Sequence, residues 1–413
     1  MKILMINNHH YLMGGSEKVY FETANLLKEK GHSVVFFSVM ENKTINDTEK
    51  AYFIKDPNFK STSIVDKIKN VGRFIYSFDA KTCLEELILK EKPDIAHLHI
   101  FYGNLTSSIL PLLKKHKIPT IMSVHEYRML CPTSLMFDQM NTPCELCAAG
   151  NYFYAIKKKC NKGSLPNSVV SATECYIRDK FFSYEKLIDH FVMVSKFIEN
   201  KHLQYKPNLK NKITHLYNFI DLNRYSSKPS IGKYYLYIGR LSPEKGIETL
   251  IQAFSNFPTL KLKIVGDGPI RDKLDNCVVK NNVNNIEFLG YLNEKEIRML
   301  QSDAKFIIVP SECYENNPLV VIESFAMSKP IIGAKIGGIT ELIIEEHNGF
   351  LFIPKNINSL ILSIQKAELL DEATYLSFCQ NARIFAEKNF SKEKHYTSLI
   401  ELYKKLLFYN EQQ

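Results

Sequence analysis

Apolar residues recur along this chain in short runs, each stopped by a polar, Gly or Pro residue. Strands are expected at 94–99, 260–265 and 286–289, and the runs at 3–6, 34–39, 120–125, 190–195, 234–240, 306–309 and 330–334 are too continuous for strands with one wet face. They predict strands buried on both faces, as in parallel sheets covered by helices. Between them lie amphipathic stretches of helical period. The stretch 19–29, for example, ends at Gly31, a helix stop. Alternation of such strands with helices predicts an α/β protein. Lys206-Pro207-Asn208 breaks the pattern, and the α/β series restarts at 234–240. We therefore expect two parallel α/β domains, 1–212 and 213–390. A final helical stretch, 391–413, is expected to return to the first domain after Phe390-Ser391.

The densest chemistry lies in 306–343. A strand stopped by Pro310 leads into a polar loop with Glu312, Glu315, Asn316 and Asn317. Pro318 then opens a helical run, 319–327, carrying Glu323, and a second strand leads to Gly337-Gly338. A helix start offers unpaired N–H groups and the positive end of a dipole, which suits a phosphate. Glu323, two turns into the helix, would accept from sugar hydroxyls. Together these features suggest a nucleotide-sugar site. Two other strand ends carry histidines, His99 and His125, at the edge where parallel sheets bind ligands. Gly14-Gly15 occupies the turn after the first strand, but the chain contains neither G-x-G-x-x-G nor a Walker A loop. His125 does not open a His-Glu-x-x-His site, because Met129 stands at the second histidine position.

Composition narrows the partners. The formal charge is +9 with 23% charged residues, but the lysines are scattered, which argues against a nucleic-acid groove. No apolar run approaches a membrane span, and residues 3–6 are too few for a secretory core, so a cytoplasmic protein is expected. Residues 64–78 mix Lys67, Lys69 and Arg73 with apolar side chains, a pattern shared by core-facing helices and by helices lying on an anionic membrane. Nine cysteines include the symmetric set Cys131, Cys144, Cys147 and Cys160 in an insertion at 131–160 of the first domain. One C-x2-C pair flanked by two more cysteines is compatible with a structural zinc tetrathiolate, and equally with reduced thiols in an irregular flap.

These pieces, in order, give the chain a resemblance to the family 4 glycosyltransferases, retaining enzymes of the GT-B fold. The matching residues run from Gly14-Gly15 through 94–99, Val124-His125-Glu126, Asn218-Phe219-Ile220-Asp221, Gly239-Arg240 to Lys245-Gly246, Val265-Gly266-Asp267-Gly268-Pro269 and Phe288-Leu289-Gly290. They end with Glu315 and Glu323, Lys329-Pro330 and Gly337-Gly338. The resemblance implies two Rossmann-like domains facing a central cleft, the second holding a nucleotide-diphosphate sugar. It implies a hexosyl transfer to an acceptor hydroxyl, in surface polysaccharide or glycolipid synthesis at the cytoplasmic side of a membrane. Arg240 and Lys245 would grip the diphosphate, with Gly15 close by. Leu292 would meet the base, Leu319 and Val320 the phosphates and Glu323 the ribose. Glu315, Asn316 and Asn317 would face the sugar, and His125 the sugar or acceptor oxygen. No Asp-x-Asp triplet occurs, so no cofactor is expected for catalysis. The chain departs from the family at Asn316-Asn317-Pro318, which bears on sugar choice, and at Asn218-Phe219 in place of a common Asn-Gly, which makes Asn218 a weaker candidate for the site. Alternatives are another GT-B enzyme, such as a UDP-sugar 2-epimerase or a phosphorylase, and an inactive carbohydrate-binding module.

Overall fold

The computed structural model describes residues 1–45, 50, 52–56, 64–225 and 229–412. The chain divides into two compact units. The first comprises Met1–Leu135, Glu145–Leu216 and His395–Gln413; the second comprises Met136–Cys144 and Tyr217–Lys394.

The first unit is built on seven strands: β1 (Lys2–His9), β2 (Ser33–Met40), β3 (Ile54–Lys55), β4 (Ile95–Leu98), β5 (Thr120–Val124), β6 (His190–Met193) and β7 (Ile213–His215). They pair in parallel in the order β3-β2-β1-β4-β5-β6-β7. β1 is buried from Ile3 to Asn8, because helices cover both faces of the sheet and leave no wet side. The helix Gly15–Glu29 follows β1 directly. Local chemistry sets other helix starts: Ser77 accepts from the Ala80 N–H and Ser195 from the Ile198 N–H.

The second unit holds β8 (Tyr234–Ile238), β9 (Leu262–Val265), β10 (Ile286–Gly290), β11 (Ala304–Val309), β12 (Ile331–Ala334) and β13 (Gly349–Phe352). These are also parallel, in the order β10-β9-β8-β11-β12-β13. Both sheets are therefore doubly wound. The strand order reverses between β1 and β4 in one unit and between β8 and β11 in the other, the crevices where such sheets take ligands.

Three expectations need correction. The first domain does not stop at 212: β7 pairs with β6, so the sheet carries the chain to Leu216. The insertion 131–160 is not wholly part of the first domain, since Met136–Cys144 clusters with the second unit. Residues 64–78 are not one helix: Ile64–Ile75 ends, and Ser77 caps a new helix, Phe78–Glu91. The side chains of Ile64, Val65 and Lys67 lie outside the described residues. The last helix, Lys392–Glu411, places Leu399, Ile400, Leu402 and Tyr403 in the core of the first unit with Ile3, Met5 and Ile95.

Candidate functional site

In the second unit, the loops after β8 and β11 meet at the reversal point. Lys245 closes a short helical turn, Pro243–Lys245, and its Nζ lies 2.6 Å from Glu315 Oε1. Ser311 donates its hydroxyl to the same oxygen at 2.7 Å. Burial works against the Lys245 charge, but the adjacent Glu315 carboxylate overrides it and holds the ammonium's pKa above its ordinary value. Burial likewise works against the Glu315 charge, and the attraction of Lys245 with the bonds from Lys245 and Ser311 brings its pKa below the ordinary carboxylate value. Each charge therefore persists because of the other.

Backbone contacts lock the two loops together. The Glu312 N–H donates to Glu244 O at 2.8 Å, and Thr249 donates its hydroxyl to Glu312 at 2.9 Å. Gly246 sits at φ +68°, and a Cβ there would lie 2.0 Å from Pro310 O. Gly337, at φ +59°, would bring a Cβ to 2.4 Å from Glu315 O, while the Gly338 N–H donates to that same carbonyl at 2.7 Å. The glycine pair is thus the backbone brace of Glu315.

Just beyond, Asn317 Oδ1 accepts from the Asn218 N–H at 2.9 Å, and Asn218 Nδ2 donates to Asn317 O at 3.1 Å. Asn218, a weaker candidate from the sequence, holds the loop that carries Asn316 and Asn317. The helix Leu319–Ala326 starts with Pro318 as its N-cap, and no side chain caps it. Pro318 therefore stands one position ahead of the first helical turn. Leu319 and Val320 are the first helical residues, and Glu323 lies partly exposed further along the same helix. Arg240 is exposed, and Tyr237 donates its hydroxyl to the Arg240 carbonyl at 2.9 Å. Leu292 packs at the margin of the second unit's core.

Gly15 and His125 belong to the first unit. Gly15 is exposed and opens its helix after the N-cap Gly14, again with no side-chain cap. His125 follows β5, with its Nε2 2.9 Å from His99 Nδ1. Burial pushes the His125 imidazole down to about 4, so it is neutral at physiological pH. The glutamate after it, Glu126, accepts from Tyr102 and Ser134, and burial raises its pKa.

Among the described residues, no three His, Cys, Asp or Glu side chains gather as metal ligands would. Cys144 is tied by its N–H to Met136 O within the Met136–Cys144 segment. Cys147 packs with Tyr152, Ala155, Ala172 and Cys175, and Cys160 packs against the same cluster. A buried polar network anchors the insertion: Arg128 pairs with Glu174, and Arg178 donates to Arg128 O and to Tyr152 Oη. Sequence reasoning missed Ser311 and this network. Neither has a recognisable spacing, because both are assembled from separate elements.

The comparisons with known proteins agree with this arrangement. Residues 13–155 match the model of Glycosyltransferase Family 4, and residues 221–385 that of Glycosyl transferases group 1. An uncharacterised glycosyltransferase of Methanocaldococcus jannaschii is 33% identical over 353 residues, covering 83% of this chain and 93% of its own. Sucrose-phosphate synthase from Thermosynechococcus elongatus superposes with a TM-score of 0.73 at 19% identity, over 98% of each chain. HepE of Anabaena, crystallised with UDP-glucose, gives 0.66 at 17% identity, over 98% of this chain and 100% of its own. Two Rossmann-like parallel domains with these neighbours define the GT-B fold class. The chain belongs to the family 4 glycosyltransferases.

Proposed function

We propose that the chain is a retaining, metal-independent hexosyltransferase that uses a nucleotide-diphosphate sugar. The observation that carries this reading is the Lys245–Glu315 pair at the reversal point of the second sheet, beside a helix start that no side chain caps. An ammonium has three N–H donors; Glu315 takes one and two remain for a diphosphate. The N–H groups of Leu319 and Val320 would take a second phosphate, with the helix dipole behind them. Fixed cations and dipoles suit a leaving diphosphate, whose negative charge grows in the transition state. Arg240 would add a further cation, and Glu323 would accept from the ribose hydroxyls. Leu292 would meet the base through its backbone, and Asn316 and Asn317 would line the sugar with Glu315. With Glu315 paired to Lys245, its role is to orient the sugar while the leaving phosphate oxygen takes the acceptor proton on the same face. Gly15 and His125 would contribute from the first unit. The complex of HepE with UDP-glucose favours a uridine nucleotide as the first donor to test.

The test is a thermal-shift screen of UDP- and GDP-sugars, followed by NMR of the anomeric proton of the product formed in EDTA. A ligand that binds the folded state alone raises the melting temperature. Product of inverted configuration, or transfer abolished by EDTA and restored by Mg²⁺, would contradict the proposal. Epimerised donor without acceptor would select the epimerase alternative.

The acceptor we propose is a lipid-linked or free saccharide at the cytoplasmic membrane face. On the Ile64–Ile75 helix, Ile68 is 69% exposed and Val71 39%, and Lys69 and Arg73 are exposed beside them. Among the described residues no helix is long and apolar enough to cross a membrane. A helix of this kind suits lying on an anionic surface. Flotation with phosphatidylglycerol vesicles but not with phosphatidylcholine vesicles is expected. Equal recovery with both, or with neither, would remove the membrane from the proposal.

A further inference from the structure

Three histidines stack behind the first unit's reversal point. His97 and His99 leave β4 on one face, with ring centroids 4.6 Å apart. His99 and His125 stack at 5.1 Å with only 16° between their planes. Both nitrogens of His97 are engaged, Nδ1 with Tyr403 Oη at 2.6 Å and Nε2 with Ser123 Oγ at 2.8 Å. The His97 ring is therefore held from two sides and backs that of His99. Tyr20 closes on His99 edge-on at 5.4 Å.

His99 is fully buried, and its two nitrogens differ sharply. Nδ1 is 2.9 Å from His125 Nε2, whereas Nε2 is buried with no hydrogen-bond partner. Burial pushes His99 well below its ordinary pKa and His125 to about 4, so each ring carries one N–H. Two arrangements satisfy the contact. If His125 donated from Nε2, His99 would have to carry its proton on Nε2, an orphaned buried N–H. If His99 donates from Nδ1, its Nε2 is a bare lone pair, and only an acceptor goes unused. Orphaned buried donors are the rarer and costlier case.

We propose that His99 is a positioning residue that holds His125 in the Nδ1–H tautomer, so that His125 meets its substrate as a hydrogen-bond donor and not as a base. This rests on the placing of His125 in the site given above. It adds a division of labour: the proton of the acceptor hydroxyl goes to the leaving phosphate oxygen, and His125 only orients.

The test uses the full chain labelled with ¹⁵N-histidine, in two-bond ¹⁵N–¹H correlation spectra. Signals are assigned by their loss in His99→Leu and His125→Ala. Both rings are expected as Nδ1–H in the wild type, and His125 is expected to move toward Nε2–H in His99→Leu. Turnover, read as UDP released from UDP-glucose, should fall about tenfold in His99→Leu, the worth of one aligned hydrogen bond, with KM within about twofold. His99→Asn places an amide N–H where Nδ1 stands and should recover rate to within about threefold of wild type. An Nε2–H His125 in the wild type overturns the proposal whatever the turnover of the variants. So does a His99→Leu rate loss with the His125 tautomer unchanged. Full turnover in His125→Ala would instead sink the placing of His125 in the site, while the wild-type spectrum still decides the pairing.

Discussion

Glu315 is one carboxylate answering to three neighbours: the Lys245 ammonium, the Ser311 hydroxyl and the backbone brace of Gly337-Gly338. Removing the cation leaves a part-buried charge without its counter-ion, which costs more than an exposed pair of the same length. Lys245→Ala is therefore expected to lose about a hundredfold or more in kcat, the usual scale for deleting a transition-state charge partner. Glu315→Gln keeps the shape and can still accept from Ser311; it should fold, retain nucleotide affinity in calorimetry, and lose a comparable share of turnover. Near-normal rates in both variants would remove the pair from catalysis. The residue types were legible in the sequence, because Lys245, Glu315 and Glu323 sit beside turn and helix-start signals. Their pairing was not. It depends on β8 and β11 being neighbours, although the two residues lie 70 positions apart.

At the scale of elements, most strands followed from their apolar runs with edges shifted by up to three residues, while the short β3 and β13 had not been foreseen. β9 runs Leu262–Val265 against an expected 260–265. The 64–78 stretch misled because apolar period runs through Ser77, whose hydroxyl caps a new helix. Gly337 tests how a turn carries chemistry. Gly337→Ala meets both a left-handed φ and the Glu315 backbone, so a loss of about 1–3 kcal/mol in stability is expected, with turnover falling further than stability explains. Urea unfolding with kinetics on the same sample measures both. The insertion offers a second test. Glu174 is buried against Arg128, and Glu174→Ala leaves that buried guanidinium without its carboxylate, whereas Arg178 keeps Asp179 at 2.8 Å. A loss of about 3–5 kcal/mol is expected, read as a lower urea midpoint with unchanged slope.

For the whole molecule, buried neutral histidines set the acid limb of stability. His97 is pushed down to about 3, and His125, His190, His202 and His215 to about 4, by burial in each case. The unfolded chain takes up these protons near the ordinary 6.5, while the folded chain does not. Stability from these groups is complete above about 6.5 and is expected to fall continuously as pH drops toward 4. Urea midpoints that stay flat across that window would contradict the burial of the rings. The final helix is a further test: ending the chain at Lys394 removes Leu399, Ile400, Leu402 and Tyr403 from the first core. Far-UV dichroism and near-UV signals should show the first unit unfolded, since several large buried side chains cost about 2–5 kcal/mol each.

The class of sheet, the two-domain plan and the charged residues of the site could be read from the chain alone, because these depend on apolar runs and on turn chemistry within short windows. The tertiary structure alone decided which residues act together. The Lys245–Glu315 pair, the Asn218–Asn317 lock and the His97–His99–His125 column all depend on strand order. Strand order is set by how long-range loops close over a shared core, a free energy no local window contains.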